Sequence, residues 1–393
     1  MSDPSVPFGN YQYEIYLQGM AGQVPELPTS YAGLEEAARE KLPPESFGYV
    51  AGGAGEELTV RANRTAFDRW RIVPRMLVDV TARDLSTNVL GVEMPAPLML
   101  APVGVMSIVH EEAERAVARA ARDLGLPMVL SNAASTTMED VAAELGDSPR
   151  WFQLYWPTDN DMAASFVTRA KEAGYTAIVV TLDTRILAWR PRDLARAYLP
   201  FLKGDGVANY FQDPVFRAGL ERAPEEDPQA AVGLWATLFS NPGLSWDDLA
   251  FLQAHTDLPI VLKGVLHPDD ARRAVDAGVD GLIVSNHGGR QVDGSVGAFD
   301  ALPDVVEAVP EDFPVLFDSG IRTGADMVKA LALGARAVLV GRPYVWGLGL
   351  GGTDGVKQVL RSLLADFDLT LALSGYTRPS ELGLEALRRA DLV

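Results

Sequence analysis

An apolar run ends abruptly in polar residues at Leu282-Ile283-Val284-Ser285-Asn286-His287-Gly288-Gly289-Arg290-Gln291. The apolar, β-branched half is typical of a buried strand in a parallel sheet and is too short for a helix. His287 can transfer a proton near neutral pH, and Arg290 can bind a carboxylate through two parallel hydrogen bonds. The two glycines allow the backbone to approach a ligand closely. Taken alone, the pattern fits a solvated loop equally well.

Composition and charge narrow the class of protein. The chain has 393 residues, 48% of them hydrophobic, which is enough for a large core. Its formal net charge of -19 argues against nucleic acid or an anionic membrane as a partner. The lack of cysteine excludes disulfides and thiolate nucleophiles. Met1-Ser2-Asp3-Pro4 lacks the features of a signal peptide, and no apolar run reaches membrane-spanning length, so we expect a cytoplasmic protein.

Eight apolar runs predict eight β-strands that alternate with helices. This alternation produces right-handed βαβ crossovers, and eight units close a (β/α)8 TIM barrel. The rival open doubly wound sheet needs a phosphate-binding loop after its first strand, and Ala101-Pro102-Val103-Gly104-Val105 does not match one. The predicted strands are 97–101, 128–131, 151–155, 177–181, 259–263, 281–285, 314–318 and 337–341. Predicted helices include 113–124, 161–173, 269–277 and 323–333.

Residues 1–95 and 190–245 lie outside this alternation. The first segment is predicted to be an N-terminal arm and helical region that packs on a barrel spanning 96–393, with Ser30 as a possible helix N-cap. The arm could lie across a neighbouring subunit. The second segment has little regular pattern but many aromatic residues, and we expect it to form a lid with a mobile middle over the barrel mouth.

Residues at the carboxyl ends of barrel strands face the active site, so the predicted fold indicates which residues are candidates for the active site. Asp318-Ser319-Gly320-Ile321-Arg322 and Gly341-Arg342-Pro343 follow the last two strands, where such barrels often hold a phosphate. The alternative is that both arginines form surface ion pairs. Candidates after the other strands are Pro102, Val103, Gly104, Ser131, Gln153, Tyr155, Thr181, Asp183, Lys263, His287 and Arg290.

His287 is the preferred general base among four histidines. His255 and His267 fall near the amino ends of strands, and His110 is expected to cap a helix. Asp183 could accept a hydrogen bond from His287 and raise the basicity of its ring. No trio of metal ligands and no G-x-S-x-G motif occurs, which argues against a metal centre and a serine hydrolase.

Together these motifs resemble the FMN-dependent L-2-hydroxy acid oxidases, from about Tyr31 to the end of the chain. The residues that carry the resemblance are 152–155, 181–184, 262–264, 285–291, 318–322 and 341–343. The arm 13–19, the run 186–193 and the long loop are most similar to the bacterial lactate 2-monooxygenase branch. Ala133 and Trp156 depart from the family pattern, and they leave the side chain of the substrate in doubt.

The resemblance implies a role for each matching residue. His287 is the base, supported by Asp183, while Arg190 and Arg290 hold the substrate carboxylate. Tyr49 and Tyr155 bond the hydroxyl, the carboxylate or the developing carbonyl; from its own surroundings, a buried structural tyrosine is an equally good interpretation of Tyr49. The implied FMN-binding residues are Pro102, Val103, Gly104, Ser131, Gln153, Thr181, Lys263, Ser285, Asp318, Gly320, Arg322, Gly341 and Arg342.

The implied activity is FMN-dependent oxidation of a small L-2-hydroxy acid, with L-lactate as the first choice and O2 as acceptor. In the monooxygenase branch, pyruvate is retained and decarboxylated to acetate, CO2 and water. The alternatives are an oxidase that releases the 2-oxo acid and H2O2, and a dehydrogenase that uses another acceptor. An isoprenoid diphosphate isomerase and a non-catalytic flavin-binding barrel are weaker rivals. The family also suggests a homo-oligomer, a tetramer or an octamer.

Overall fold

The structure, a computed structural model, describes residues 6–390. Met1-Ser2-Asp3-Pro4, on which the expectation of no signal peptide rests, lies outside the described residues. The region before the barrel contains α1 (Tyr11–Met20), α2 (Tyr31–Lys41), α3 (Pro44–Ala51), α4 (Leu58–Asp68), β1 (Trp70–Ile72), β2 (Thr87–Val89) and β3 (Val92–Met94).

Helix α2 shows how local sequence sets the boundaries in this region. The Ser30 side chain accepts a hydrogen bond from the Gly33 N–H at 3.2 Å, which confirms the predicted N-cap. Leu34 and Ala38 are buried one turn apart, so this face packs on the core. The helix ends at Lys41, just before Pro43 restricts the backbone.

Eight parallel strands close into a barrel, and this confirms the predicted (β/α)8 fold. Consecutive strands are neighbours, and the last strand pairs with the first to complete the ring. The barrel strands are β4 (Leu98–Leu100), β5 (Met128–Ser131), β6 (Arg150–Leu154), β7 (Ile178–Thr181), β8 (Ile260–Val265), β9 (Gly281–Val284), β10 (Val315–Phe317) and β11 (Ala337–Val340). Each overlaps one predicted strand.

The helices after β4 form the outer layer and the lid insertion. They are α5 (Ala113–Leu124), α6 (Met138–Leu145), α7 (Asn160–Glu172), α8 (Pro191–Leu194), α9 (Ala208–Phe211), α10 (Pro214–Ala218), α11 (Pro228–Leu238), α12 (Leu249–His255), α13 (Pro268–Asp276), α14 (Ala298–Glu307), α15 (Gly324–Ala332) and α16 (Arg342–Leu373). Strand β12 (Leu387–Arg389) then pairs antiparallel with β1. None of the helices in residues 6–390 is both long and apolar enough to cross a membrane.

Alternation along the strands separates the barrel interior from its outer face. Val179 and Val261 belong to a buried cluster inside the barrel, whereas Val180 and Leu262 belong to the larger cluster under the helices. Because successive side chains point to opposite faces, the residues two positions after the interior valines also point inward. The strand geometry therefore directs polar side chains at the carboxyl ends of β7 and β8 into the mouth.

The lid insertion, whose sequence has little regular pattern, contains the helices α8 to α11. Its middle is fastened to the barrel by buried polar residues. Asn209 accepts a hydrogen bond from the Met138 N–H at 2.8 Å and donates one to the Asn132 carbonyl at 3.2 Å. Asp213, fully buried, forms an ion pair with Arg169 at 3.0 Å. Such contacts with the barrel depend on tertiary packing that periodicity does not reveal.

Candidate active site

A cavity lies at the carboxyl ends of the barrel strands, where a barrel of this kind binds its ligands. Most of the predicted site residues line it: Tyr49, Pro102, Val103, Gly104, Tyr155, Arg190, Lys263, His287, Arg290, Asp318, Gly320, Arg322, Gly341 and Arg342. Five do not line it. Asp183 lies behind His287, and Ser131, Gln153, Thr181 and Ser285 are buried at the strand ends.

His287 and Asp183 form a hydrogen-bonded pair. The Nδ1 atom of His287 lies 2.8 Å from Oδ1 of Asp183. Because a carboxylate can only accept, we assign the ring proton to Nδ1, which leaves the Nε2 lone pair free. Nε2 lies 3.5 Å from the Tyr155 hydroxyl. Thr184 donates its hydroxyl to the same Asp183 oxygen at 2.8 Å and fixes the carboxylate.

The backbone at His287 adopts the left-handed conformation, with φ of 58°. This is unusual for a non-glycine residue and persists only where neighbouring groups hold it. The Ser285 hydroxyl accepts the His287 N–H at 3.1 Å, and the Ser319 hydroxyl accepts the Gly288 N–H at 3.0 Å. Two serine side chains thus hold the turn that presents the imidazole.

Burial and neighbouring charges set the protonation states of the pair. Burial disfavours the imidazolium and lowers the pKa of His287 below its usual value, although Asp183 opposes that effect. Burial alone would raise the pKa of Asp183, but the charges of His287 and Lys263 bring it below the usual range. At neutral pH the site therefore holds a carboxylate beside a neutral imidazole, which can accept a proton.

Lys263 is buried and keeps its charge. Its ammonium lies 3.6 Å from the carboxylate of Asp318 and 3.9 Å from that of Asp183. Burial lowers the pKa of Lys263, but the two aspartates outweigh burial and raise it above the usual value. A buried cation at this position can stabilise negative charge on a bound ligand.

Two arginines converge on the C-terminal end of α3. Arg290 donates to the carbonyls of Tyr49 at 2.5 Å and Gly52 at 2.8 Å. Burial, together with the nearby Arg190, lowers the pKa of Arg290 to about 9. Arg342 donates to the carbonyls of Val50, Gly288 and Gly52 at 2.9, 3.0 and 2.9 Å.

Arg190, the third arginine at the mouth, donates to the Arg290 carbonyl at 3.1 Å and to the Gln291 amide oxygen at 2.6 Å. Within residues 6–390, no carboxylate lies within ion-pairing distance of Arg190, Arg290 or Arg342. Cations that are at least partly buried and have no carboxylate partner favour an anionic ligand.

Polar atoms without a partner mark where a ligand would bind. The side-chain N–H₂ of Gln153, the hydroxyl of Thr181 and Nε of Arg322 are buried and lack hydrogen bonds. Thr181 pairs in register with Lys263, which lines the cavity, and Gln153 pairs with the inward-facing Val179. Since buried polar groups are normally satisfied, these three atoms are available to a polar ligand.

Close packing requires a glycine at position 320, which lines the cavity just after β10. Gly320 has φ of 118°, and a Cβ there would lie 2.6 Å from the Asn63 carbonyl oxygen. Only glycine fits this position. The N-terminus of α16, which begins at Arg342, also lines the cavity. Its free N–H groups favour an anion.

Sequence reasoning missed several contributors to the site. Thr184, Gln291 and Ser319 stand inside the quoted motifs, but the sequence assigned no role to them. Thr184 bonds the adjacent Asp183 through a contact that depends on side-chain torsions, and the partners of Gln291 and Ser319 come from distant parts of the chain. Phe201 and Phe239 of the lid line the cavity. The aromatic content of the lid was the only signal for them.

The other histidines lie elsewhere. His110 accepts the Glu112 N–H at 3.1 Å, but the N-cap residue of α5 is Glu112 itself, so the expectation that His110 caps a helix is wrong. His267 accepts the Asp269 N–H at 3.1 Å and caps α13. His255 is in the last turn of α12 and contacts the Phe251 carbonyl at 2.7 Å. None of the three lines the cavity.

Comparison with known proteins relates this site to characterised ones. Residues 38–389 match the family described as FMN-dependent dehydrogenase. The chain is 46% identical over 390 residues to the FMN-dependent alpha-hydroxy acid dehydrogenase of Penicillium citrinum, covering 98% of this chain and 97% of that one. It is 44% identical to the L-lactate oxidase of Lysinibacillus sphaericus, covering 97% and 96%. Mandelate oxidase crystallised with (S)-4-hydroxymandelic acid has a TM-score of 0.82 and 41% identity, covering 92% and 98%.

Proposed function

This chain belongs to the FMN-dependent dehydrogenase family and is an FMN-dependent 2-hydroxy acid oxidoreductase; from that premise we propose that it is a lactate 2-monooxygenase. The substrates would be L-lactate and O2, and the products acetate, CO2 and water, in which all atoms balance. The observation that carries the proposal is the partly buried His287–Asp183 pair, whose imidazole faces a cationic cavity lined by aromatic residues of the lid.

The cavity fits FMN because the unpartnered Nε of Arg322 and the buried ammonium of Lys263 both line it, and they match a phosphate and the polar edge of a ring system. When bound, FMN accepts two electrons from the substrate and passes them to the acceptor. We propose that Lys263 lies beside the polar edge of the ring and Asp318 beside the ribityl chain. The residues that would hold the group are Pro102, Val103, Gly104, Ser131, Gln153, Thr181, Lys263, Ser285, Asp318, Gly320, Arg322, Gly341 and Arg342.

His287 would act as the general base. Its Nε2 would take a proton from the substrate, either the α-proton or the hydroxyl proton, as the C–H bond is oxidised. Asp183, 2.8 Å from Nδ1, would stabilise the imidazolium that forms. The low pKa of His287 supports this role because it keeps the ring neutral at physiological pH.

Arg190 and Arg290 would hold the substrate carboxylate. Both line the cavity and lack a carboxylate partner among the described residues. Tyr49 and Tyr155 would donate hydrogen bonds to the substrate oxygens. Burial raises the pKa of Tyr155 to about 12, so its hydroxyl stays protonated and remains a donor.

The aromatic residues of the lid are the evidence that favours retention of pyruvate in the cavity. Phe201 and Phe239 line the cavity and stack against Trp235, with centroid distances of 4.7 Å and 4.9 Å. Phe239 also contacts the ring of the catalytic-site Tyr155 at 5.3 Å. Such an aromatic wall would slow the departure of pyruvate and keep it beside the peroxide formed from O2.

Product analysis tests the proposal. Holoenzyme, L-lactate and O2 are mixed with catalase present, so that any released H2O2 is destroyed before it can decarboxylate pyruvate in solution. We expect one acetate for each O2 consumed. Pyruvate as the main product would contradict monooxygenase activity and establish an oxidase, which is the second candidate because a 44% identical relative is named L-lactate oxidase.

We also propose that the chain forms a homo-oligomer through its N-terminal arm. Helix α1 has no buried residue, and Tyr13, Tyr16, Leu17 and Met20 are exposed. An apolar helix surface of this size favours a protein partner, and a second copy is the simplest one. Sedimentation of the full chain against a variant with Tyr16→Ser and Leu17→Ser tests this. A monomeric wild-type protein would exclude it.

A further inference from the structure

The guanidinium of Arg322 stacks on an aromatic ring that belongs to the region before the barrel. Its guanidinium carbon lies 4.0 Å from the centroid of the Tyr31 ring. Tyr31 is the first residue of α2, whereas Arg322 follows β10 at the far end of the sequence. At this distance the positive charge is attracted to the face of the ring, and the planar group stacks on it.

The Tyr31 ring is itself held in place. Its hydroxyl accepts a hydrogen bond from Nε1 of Trp346 at 3.3 Å. Trp346 is fully buried in the first turns of α16, the helix whose N-terminus lies at the proposed phosphate position. The helix that starts at the phosphate position therefore also fixes the ring that supports Arg322.

Arg322 has hydrogen-bond donors available for a ligand. Its Nη1 donates to the Ile321 carbonyl at 2.8 Å, but Nε is buried without a partner. In the described part of the chain, no carboxylate pairs with it within ion-pairing distance. Each guanidinium nitrogen of Arg342, by contrast, already donates to a main-chain carbonyl.

We propose that Tyr31 is a positioning residue for the FMN phosphate: it stacks on Arg322 and holds the edge of the guanidinium towards the phosphate. The inference rests on the proposed phosphate position, and it does not depend on the substrate or on the fate of the product. It predicts a selective effect, because riboflavin has the same ring system as FMN but no phosphate.

The test is titration of the flavin-free full chain with FMN and, separately, with riboflavin, followed by flavin fluorescence. We expect Tyr31→Leu to weaken FMN binding about tenfold and to leave riboflavin binding unchanged. Tyr31→Phe keeps the ring and should bind FMN within about twofold of wild type. The matched control is Tyr11→Leu, which removes a ring stacked on Arg361 at the same 4.0 Å distance but away from the cavity.

Equal weakening of both flavins would overturn the inference by showing a general structural role, and no effect on either would also overturn it. If wild type binds FMN and riboflavin equally, the proposed phosphate position itself fails. Should Tyr31→Leu not fold, pentafluorophenylalanine at position 31 keeps the shape of Tyr31→Phe without its negative ring face. It should lower FMN affinity alone relative to Tyr31→Phe, and equal FMN affinities would reject the stacking role.

Discussion

At the scale of single residues, His287 shows how a strained backbone holds the proposed general base. Its positive φ is held by hydroxyls from Ser285 and Ser319, and its ring is oriented by Asp183. These contacts hold the imidazole in the orientation that the structure shows. Preorganisation of this kind is what a general base requires.

Replacing the base should slow the chemical step. We expect His287→Ala to reduce the rate of anaerobic flavin reduction by L-lactate about 10²- to 10⁴-fold, because the variant lacks the proposed general base. Stopped-flow absorbance measures this rate. His255→Ala, on α12, is the matched control and should behave as wild type. A His287→Ala rate near that of wild type would rule out the assigned role.

Asp183 should influence the pH dependence of kcat/KM through the pKa of His287. The carboxylate raises the pKa of His287, so Asp183→Asn lowers that pKa further. Because activity needs the neutral ring, the acid limb of kcat/KM should move to lower pH while the maximum falls roughly 10- to 100-fold. A pH profile of initial rates checks both effects. An acid limb displaced to higher pH would contradict the assignment.

Prediction from sequence worked at this scale where a residue lies in the carboxyl end of a barrel strand or within a few residues after it. The fold alone places His287, Lys263 and Asp318 at the mouth. It could not reveal that Thr184 fixes Asp183, because that contact depends on side-chain torsions. Nor could it reveal that Arg342 donates its side chain to carbonyls of the α3 end.

At the scale of elements, the lid is fastened to the barrel near Gly206. A Cβ at Gly206 would lie 2.8 Å from the Phe201 ring, 2.8 Å from Val105 and 2.9 Å from the Ala133 carbonyl oxygen. The neighbouring Asp205 accepts a hydrogen bond from Ser107 at 2.7 Å. The lid thus contacts the loops after β4 and β5 directly over the cavity.

Loosening this contact should change the products. We expect Gly206→Ala to displace the lid and to raise the fraction of oxidised lactate that leaves as pyruvate and H2O2. Gly204→Ala is the control, because Gly204 also has positive φ but no atom within 4 Å of its Cβ position. Backbone strain is similar in the two variants, so a difference isolates the lid contact. Equal product ratios in both would contradict the retention role of the lid.

The elements also show why strands were easier to predict than the lid. Strands buried on both faces appear as short continuous apolar runs bounded by turns, and each predicted strand overlaps an observed one. Helices α8, α9 and α10 are four or five residues long, too short for periodicity to show.

At the scale of the whole molecule, the acidic net charge and the cationic cavity have opposite effects on an anionic substrate. The net charge of -19 repels an anionic substrate at long range, whereas Arg190 and Arg290 act only inside the cavity. Salt screens the long-range repulsion more than the buried attraction.

An increase in ionic strength should therefore increase kcat/KM for the anionic substrate. Between about 0.01 M and about 0.15 M salt, we expect kcat/KM for L-lactate to rise by roughly twofold at most. Steady-state rates at low substrate concentration measure this, with the uncharged methyl ester of L-lactate as the comparison. A fall in kcat/KM with salt would show that the arginines dominate the long-range field.

The architecture of the whole chain followed from the count and order of its strands, because eight alternating units close a barrel. The division at residue 95 stays a prediction, as does the assembly of subunits. Pairing of β1 with β12 could not be foreseen, since both strands have three residues and lie at opposite ends of the chain.

Anaerobic reduction of the bound flavin tests the central claim most directly. Holoenzyme without oxygen is mixed with L-lactate and, separately, with D-lactate, and the visible absorbance of the oxidised flavin is followed. The account predicts rapid bleaching by L-lactate and none by D-lactate, because one base and one carboxylate clamp accept a single enantiomer. Failure of L-lactate to bleach the flavin, or equal bleaching by both enantiomers, would contradict it.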